Sequence, residues 1–361
     1  MFTIIDKKPE MLRRKAGLFS MLYDTSIPKY IMGRNDYAKQ VINVFAKNKI
    51  QLVGIIDDYT SETEYNGFPI FKSSDITQDS LVISCVINGR MITAINNLRE
   101  NNISYILTYF DLVLYDEKNF LQVKFCENNI IDIEKNIEQY RWLYTILDDD
   151  VSRQTLIHII NFRYNFDIEA LRMFQFHLED QYYDVVQFSN KETFVDCGAY
   201  DGMTTKRFIE LNPDYKSIYV FEPLPEHYAK TCTVLQGNPN IYIKQFATYH
   251  ENTIQTFNSQ KASASGLSAE GNIKVKAVRL DDTIQEKVTY MKLDVEGAEY
   301  ETLIGAKRLI QTYKPKLAVC VYHNQEDFWR IPRLLLQYNS NYRIVLRHYT
   351  EGILETVMYF L

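Results

Sequence analysis

Residues 194–202 read Phe-Val-Asp-Cys-Gly-Ala-Tyr-Asp-Gly, and few folds accommodate them. Phe194 and Val195 end an apolar strand, Asp196 follows, Gly198 and Gly202 let the chain turn, and 203–211 has helical spacing. A strand that turns over glycines directly into a helix belongs to a parallel α/β sheet, and its turn is where a nucleotide-like ligand sits. The first special position here is an acid. A pyrophosphate prefers glycines and bare N–H groups at a helix N-terminus. An acidic turn suits a ligand without phosphate and with positive charge. S-adenosylmethionine (SAM), with its ammonium, sulfonium and ribose diol, meets that description.

A second signal supports the same ligand. The apolar run 217–221 ends in Glu222-Pro223. A carboxylate at the tip of the second strand can accept both ribose hydroxyls, and the proline ends the strand. Asp196, Asp201 and Glu222 together would repel a dianionic pyrophosphate, which weighs against a dinucleotide.

Composition narrows the class. The 361 residues, 46% apolar and 24% charged, suit a folded chain of two or three domains. The net charge of −6 and the lack of a basic block argue against nucleic acid as a partner. No apolar run reaches the ~20 residues of a membrane helix, and the charged start, with Asp6, Lys7, Lys8 and Glu10, does not read as a signal peptide. The five cysteines are scattered, and no Cys/His spacing suggests zinc. Cys85, Cys197 and Cys320 sit in or beside apolar runs, where a thiol acts as a small hydrophobe. A reducing cytoplasm is the expected setting.

The chain pattern predicts an N-terminal extension at 1–28, a Rossmann-like α/β domain at 29–110, a helical connector or lid at 111–190 and a larger α/β domain at 191–361. In the first α/β domain, strands are expected at 30–33, 51–57, 81–86 and 104–108, with helices at 37–49 and 91–101. Its first turn keeps only Gly33 of a dinucleotide turn, with Asp57 where a ribose-binding acid would sit. A scaffold role is the plainer reading of this domain and a nucleotide or nucleotide-sugar site the sharper one. In the connector, 137–147 reads as an amphipathic helix, and Asp148-Asp149-Asp150 as a cap before a helix at 152–162.

In the larger domain, strands are expected at 193–196, 217–222, 241–247, 273–280, 288–294, 316–322, 342–347 and 354–360. Helices are expected at 203–211, 225–236, 299–311 and 326–338. The last two strands are separated by a short turn at Gly352, so they form a hairpin and one runs antiparallel. A parallel sheet closed by such a hairpin is the arrangement of class I methyltransferases, with the pocket at the carboxyl ends of the strands.

Two further strand ends carry chemistry. In 290–299, alternation puts Lys292 and Asp294 on one face of a central strand, where both are costly unless paired or functional. Asp294 falls where an acceptor would meet a methyl group. The bland alternative is a buried ion pair fixing the turn. His323 leaves the next strand at the same edge, and its near-neutral pKa suits general-base work. Asp294 and His323 could instead share a divalent metal, but two ligands are too few, and no metal is expected. Tyr182, Tyr183, Phe328 and Trp329 could offer faces to a sugar, with core packing the default for each.

These stretches, 194–202, Phe221-Glu222-Pro223, 292–299 with Leu303, Gly305 and Ala306, Tyr322-His323 and Arg347-His348-Tyr349, resemble FkbM-type SAM-dependent methyltransferases over roughly 150–361. The resemblance implies a class I fold, SAM as donor and O-methylation of hydroxyls, often on sugars or polyketide-like metabolites. It maps Asp196, Gly198, Tyr200, Gly202 and Glu222 to SAM contacts and Asp294 to the catalytic edge; Ala199 in the same turn joins the expected SAM contacts, and Lys292 and His323 join the expected catalytic residues. Residues 29–110 are similar to the nucleotide-binding-like domain of some sugar acyltransferases. The expected partner is a hydroxylated small molecule or glycan, and a homo-oligomer is left open. Two other classes stay open: a silent scaffold binding SAM or a sugar, and a nicotinamide-dependent sugar oxidoreductase working through 29–110.

Overall fold

The computed structural model describes residues 2–257 and 273–361. The chain divides into two compact units. One comprises Met1–Lys135, Leu156–Leu178 and His348–Leu354; the other comprises Asn136–Thr155, Glu179–Arg347 and Glu355–Leu361. The stretch expected as a connector is thus shared between them.

The first unit opens with helix α1 (Lys8–Met21), in the segment that carried no expected element. Its six-stranded sheet has the order β3-β4-β2-β1-β5-β6, built from β1 (Lys29–Met32), β2 (Gly54–Ile56), β3 (Glu64–Tyr65), β4 (Phe68–Phe71), β5 (Leu81–Ser84) and β6 (Tyr105–Thr108). Every residue of β1, β2 and β5 is buried, as in parallel strands covered on both faces. Helix α2 (Asp36–Lys47) follows β1 because Asn35 caps it, its Oδ1 accepting from the Ala38 N–H, while Ala38, Val41 and Phe45 face the core. Helix α3 (Met91–Glu100) precedes β6, and helices α4 (Tyr109–Tyr115) and α5 (Asn129–Lys135) follow it.

The β3–β4 hairpin is absent from the expected elements. Asn66 and Gly67 close it, both at positive φ of 50° and 80°, which is the Asn-Gly turn that two-residue hairpins favour. Arg34 ties down Asp57, the expected ribose acid: its Nε donates to Asp57 Oδ2 at 2.7 Å and its other arm pairs with Glu62. Glu351 fills the N-terminus of α3, accepting from the Thr93 N–H at 2.6 Å and the Thr93 hydroxyl at 2.8 Å.

The second unit carries a seven-stranded sheet. Its members are β7 (Thr193–Cys197), β8 (Ser217–Phe221), β9 (Ile241–Lys244), β13 (Tyr290–Leu293), β14 (Lys316–Cys320), β15 (Ile344–His348) and β16 (Thr356–Phe360), in the order β15-β16-β14-β13-β7-β8-β9. The run from β9 to β14 is parallel, and β16 is antiparallel to β14. This is the mixed sheet with a C-terminal antiparallel hairpin that the sequence predicts. Helices α8 (Met203–Leu211), α9 (Pro225–Val234), α11 (Glu299–Gly305), α12 (Lys307–Tyr313) and α13 (Asp327–Tyr338) connect the strands. Helix α6 (Ile137–Ile146) packs on α13, with Tyr140 Oη donating to the Gln325 carbonyl. The first turn of α7 (Asp150–Asn165) is capped by Asp149, as expected.

Three local expectations change. The strand expected over 241–247 breaks at Gln245-Phe246, and β10 (Ala247–Thr248) leaves the main sheet. It joins β12 (Ile273–Val278), expected as 273–280, and β11 (Thr253–Phe257), which was not expected, in a separate three-stranded sheet. Short α10 (Leu280–Thr283) follows β12. The single helix expected over 299–311 is two helices broken at Ala306. Gly305 lies so close to the chain that a Cβ there would stand 2.0 Å from the Tyr249 carbonyl oxygen.

Candidate active site

The carboxyl ends of β7, β8, β13 and β14 meet at one edge of the larger sheet. After β7 the chain folds back, and the Gly198 N–H donates to the Phe221 carbonyl at 2.9 Å. Gly198, Tyr200 and Gly202 take positive φ of 81°, 53° and 84°. Only glycine fits at 198, where a Cβ would lie 1.8 Å from the Asp294 carbonyl oxygen. Gly198→Ala is expected to push the β7 and β13 turns apart and to destabilise the unit by at least about 2 kcal/mol, measured as a lowered urea midpoint. Ala199 is buried, while Tyr200 is half exposed.

Glu222 follows β8 and is buried. Its Oε2 accepts from the Tyr200 N–H and its Oε1 from the Leu224 N–H, each at 2.9 Å. Burial pushes its pKa up to about 7, against the pull of these two bonds. The carboxylate is thus aimed at the β7 turn with one outer lone pair left on each oxygen.

Asp196 is fully buried. The Thr205 hydroxyl donates to its Oδ2 at 2.6 Å, and Lys292 Nζ stands 3.2 Å from its Oδ1. The register of β7 and β13 sets Lys292 opposite Asp196. Lys292 also donates to the Gly198 carbonyl at 2.5 Å. Burial would lower its pKa, but Asp196 and Asp294 outweigh burial and raise it. The partner of Lys292 is therefore Asp196 across the sheet, rather than Asp294 on its own strand.

Asp294 is half-buried just past β13, its N–H bonded to the Cys197 carbonyl. Tyr182 Oη donates to its Oδ2 at 2.9 Å and Tyr322 Oη to its Oδ1 at 3.5 Å. His323 Nε2 stands 3.6 Å from Asp294 Oδ1 and 3.8 Å from Glu296 Oε2, and Nδ1 is 2.9 Å from Glu299 Oε1. Burial would lower the imidazole pKa, but these three carboxylates push it up to about 9. Near neutral pH it carries a proton and is a poor general base. Glu299 is fully buried and also accepts from the Val295 N–H, closing the turn into α11.

The structure thus brings Asp294 and His323 together, Lys292 to Asp196, and Glu222 to the Tyr200 backbone. Two contributors are missing from the expected set. Tyr182 is known from the sequence only as a candidate ring face, yet it is buried at φ 74° with its hydroxyl on Asp294. Glu355 accepts from Gln181 Nε2 at 2.6 Å, and burial together with Asp294 pushes its pKa up to about 7. A glutamate inside the apolar hairpin run 353–360 is the signal for it in the sequence. Tyr183 and Phe328 are buried, with Tyr183 Oη donating to the Thr204 carbonyl, and Trp329 is half-buried.

Residues 196–348 match the family model of the methyltransferase FkbM domain. The fold is similar to that of a methyltransferase FkbM from Methylobacillus flagellatus KT, at 23% identity and a TM-score of 0.73, covering 100% of this chain and 94% of that one. An rRNA methylase from Streptococcus thermophilus is similar over 48% of this chain and 86% of its own, at 16% identity and a TM-score of 0.31. Fibrillarin from Aeropyrum pernix, solved with natively bound S-adenosyl-L-methionine, covers 48% of this chain and 67% of its own, at 12% identity and a TM-score of 0.31. No curated protein matches the chain. Among the described residues no helix is long and apolar enough to cross a membrane. Over residues 196–348 the chain is thus similar to the methyltransferase FkbM domain, and its fold is similar to that of a methyltransferase FkbM.

Proposed function

We propose that this chain transfers a methyl group from SAM to a hydroxyl of a sugar, glycan or related metabolite. The observation that carries the reading is Glu222. Two backbone N–H groups hold its buried carboxylate against the β7 turn, and the outer lone pairs that remain suit a ribose diol. The edge also fits a cationic ligand. Asp294, Glu296, Glu299 and Glu355 gather there, while Lys292 is committed to Asp196. Such a field favours a sulfonium and opposes a pyrophosphate.

Glu222 would hold the ribose, and the backbone of Gly198, Ala199, Tyr200 and Gly202 would line the turn around it. Asp196 and Lys292 shape that turn from beneath, through the Gly198 carbonyl. When bound, SAM supplies an electrophilic methyl group on a positively charged sulfur. Asp294 would face the acceptor hydroxyl, and its carboxylate would take the hydroxyl proton as the methyl group leaves sulfur for oxygen. The Tyr182 hydroxyl fixes the orientation of that carboxylate. His323, held by Glu299, buttresses the same turn.

Asp294→Asn keeps the shape and removes the proton acceptor. It is expected to lower turnover by roughly 10²–10⁴-fold, with a far smaller loss of SAM affinity from the one charge removed. The check is S-adenosylhomocysteine formation against a panel of hydroxylated sugars, with calorimetric SAM titration in parallel. Undiminished turnover would remove Asp294 from the chemistry.

A further inference from the structure

We propose that Glu355 is a second substrate-facing acid and that the acceptor is a vicinal diol, with Asp294 on the reacting hydroxyl and Glu355 on its neighbour. The assignment rests on the methyl-transfer reading of the same edge. Its geometry comes from three adjacent strands. Asp294 follows β13, and β14 runs parallel beside that strand. On the far side of β14 lies antiparallel β16, with Val357 opposite Cys320. The Val321 N–H donates to the Thr356 carbonyl at 3.0 Å. Glu355, just before β16, therefore stands at the carboxyl end of β14, on the edge that holds Asp294.

One short segment sets both acids. Gln181 Nε2 donates to Glu355 Oε2 at 2.6 Å, and the next residue, Tyr182, donates through Oη to Asp294 Oδ2 at 2.9 Å. Tyr182 is itself anchored on the sheet. Its N–H donates to Tyr359 Oη at 2.9 Å, and its carbonyl accepts from Tyr290 Oη at 2.6 Å. Glu355 also takes φ 73°, a left-handed conformation that costs a residue with a Cβ and is free to glycine. Strain of this kind gathers at ligand-facing positions.

Both acids keep an open side. The Asp294 side chain is 22% exposed, and Glu355 is half-buried. Among the described residues Glu355 Oε1 has no hydrogen-bond partner. An acceptor that covered Asp294 alone would desolvate Glu355 without matching it, which is costly. A second hydroxyl supplies the match whichever form Glu355 takes, since it donates to a carboxylate and accepts from a carboxylic acid. A phosphate or carboxylate beside the reacting hydroxyl would be repelled. Asp294 would take the proton of the first hydroxyl as that oxygen is methylated, and Glu355 would hold the second with no bond made or broken.

The test follows S-adenosylhomocysteine formation by the full chain on methyl hexopyranosides and their monodeoxy counterparts, with the methylated position located by NMR. The counterpart that lacks the adjacent hydroxyl should show a kcat/KM lower by roughly 10–100-fold, the value of one hydrogen bond to a charged group. Glu355→Gly and Glu355→Met should each erase that preference. Glu355→Gln, which still donates and accepts, should keep most of it. A role in folding alone would lower both members of a pair alike and leave their ratio intact. Glycine suits the backbone and methionine fills the space, so the ratio can be read in either variant. Equal rates on both members of a pair in the wild type, or a ratio unchanged in the glycine and methionine variants, overturn the assignment. SAM binding that falls in these variants as far as diol turnover does overturns it too, because Glu355 then serves the donor. SAM binding with no transfer to any glycoside overturns the diol alone, and no SAM binding overturns the methyl-transfer reading with it.

Discussion

Glu222→Ala is expected to abolish SAM binding at ordinary titration concentrations. Above pH 7, where Glu222 is ionised, the two ribose hydroxyls would donate to one carboxylate, and a hydrogen bond to a charged group contributes about 1.5–3 kcal/mol. Losing two of them costs roughly 3–6 kcal/mol, or on the order of 10²–10⁴ in affinity. The Tyr200 and Leu224 N–H groups also lose their acceptor, so the β7 turn loosens with the loss. Glu222→Gln separates these effects. Its amide keeps one acceptor oxygen, so its affinity should fall between wild type and alanine. A titration in which the alanine variant binds SAM like the wild type would remove Glu222 from the donor site.

Lys292→Met is expected to be the most destabilising single change at this edge. Asp196 is fully buried and Lys292 almost so, and removing the lysine leaves a carboxylate without its cation in the sheet interior. Breaking a buried pair from one side costs about 3–5 kcal/mol. Replacing both partners is far milder, because no charge is stranded. Lys292→Met should therefore lower the urea midpoint by on the order of 2 M, and adding Asp196→Asn should recover most of the loss. Both tryptophans, Trp142 and Trp329, lie in the larger unit, so their fluorescence follows this transition. A midpoint unchanged in the single variant would show that the pair contributes no stability.

What the sequence shows of this molecule is mostly local. The strand–turn–helix at 194–202 and the acid at the end of β8 are written within a few residues, and both fall where the pattern puts them. The terminal hairpin is legible because two apolar runs flank a short turn. Asn66-Gly67 was equally legible and marks a hairpin missing from the expected elements. The helix break at Ala306 was not legible, and neither was the approach of the Tyr249 carbonyl to the neighbouring Gly305.

The site itself divides along the same line. Alternation correctly makes Lys292 an anomaly in an apolar strand, but its partner depends on the register with β7, which no local pattern states. The hydroxyl on Asp294 comes from Tyr182, 112 positions away in sequence. The carboxylates around His323 fall within one short turn and are visible, yet the assignment of its two nitrogens needs the fold. Asp57 resembles a ribose acid by spacing, and only the structure joins it to Arg34.

The most direct test is calorimetric titration of the whole chain with SAM and, separately, with NAD. The account predicts one equivalent of SAM bound, none of NAD, and loss of the SAM signal in Glu222→Ala. Heat from NAD with none from SAM would contradict it and move the functional centre to the turn at Gly33.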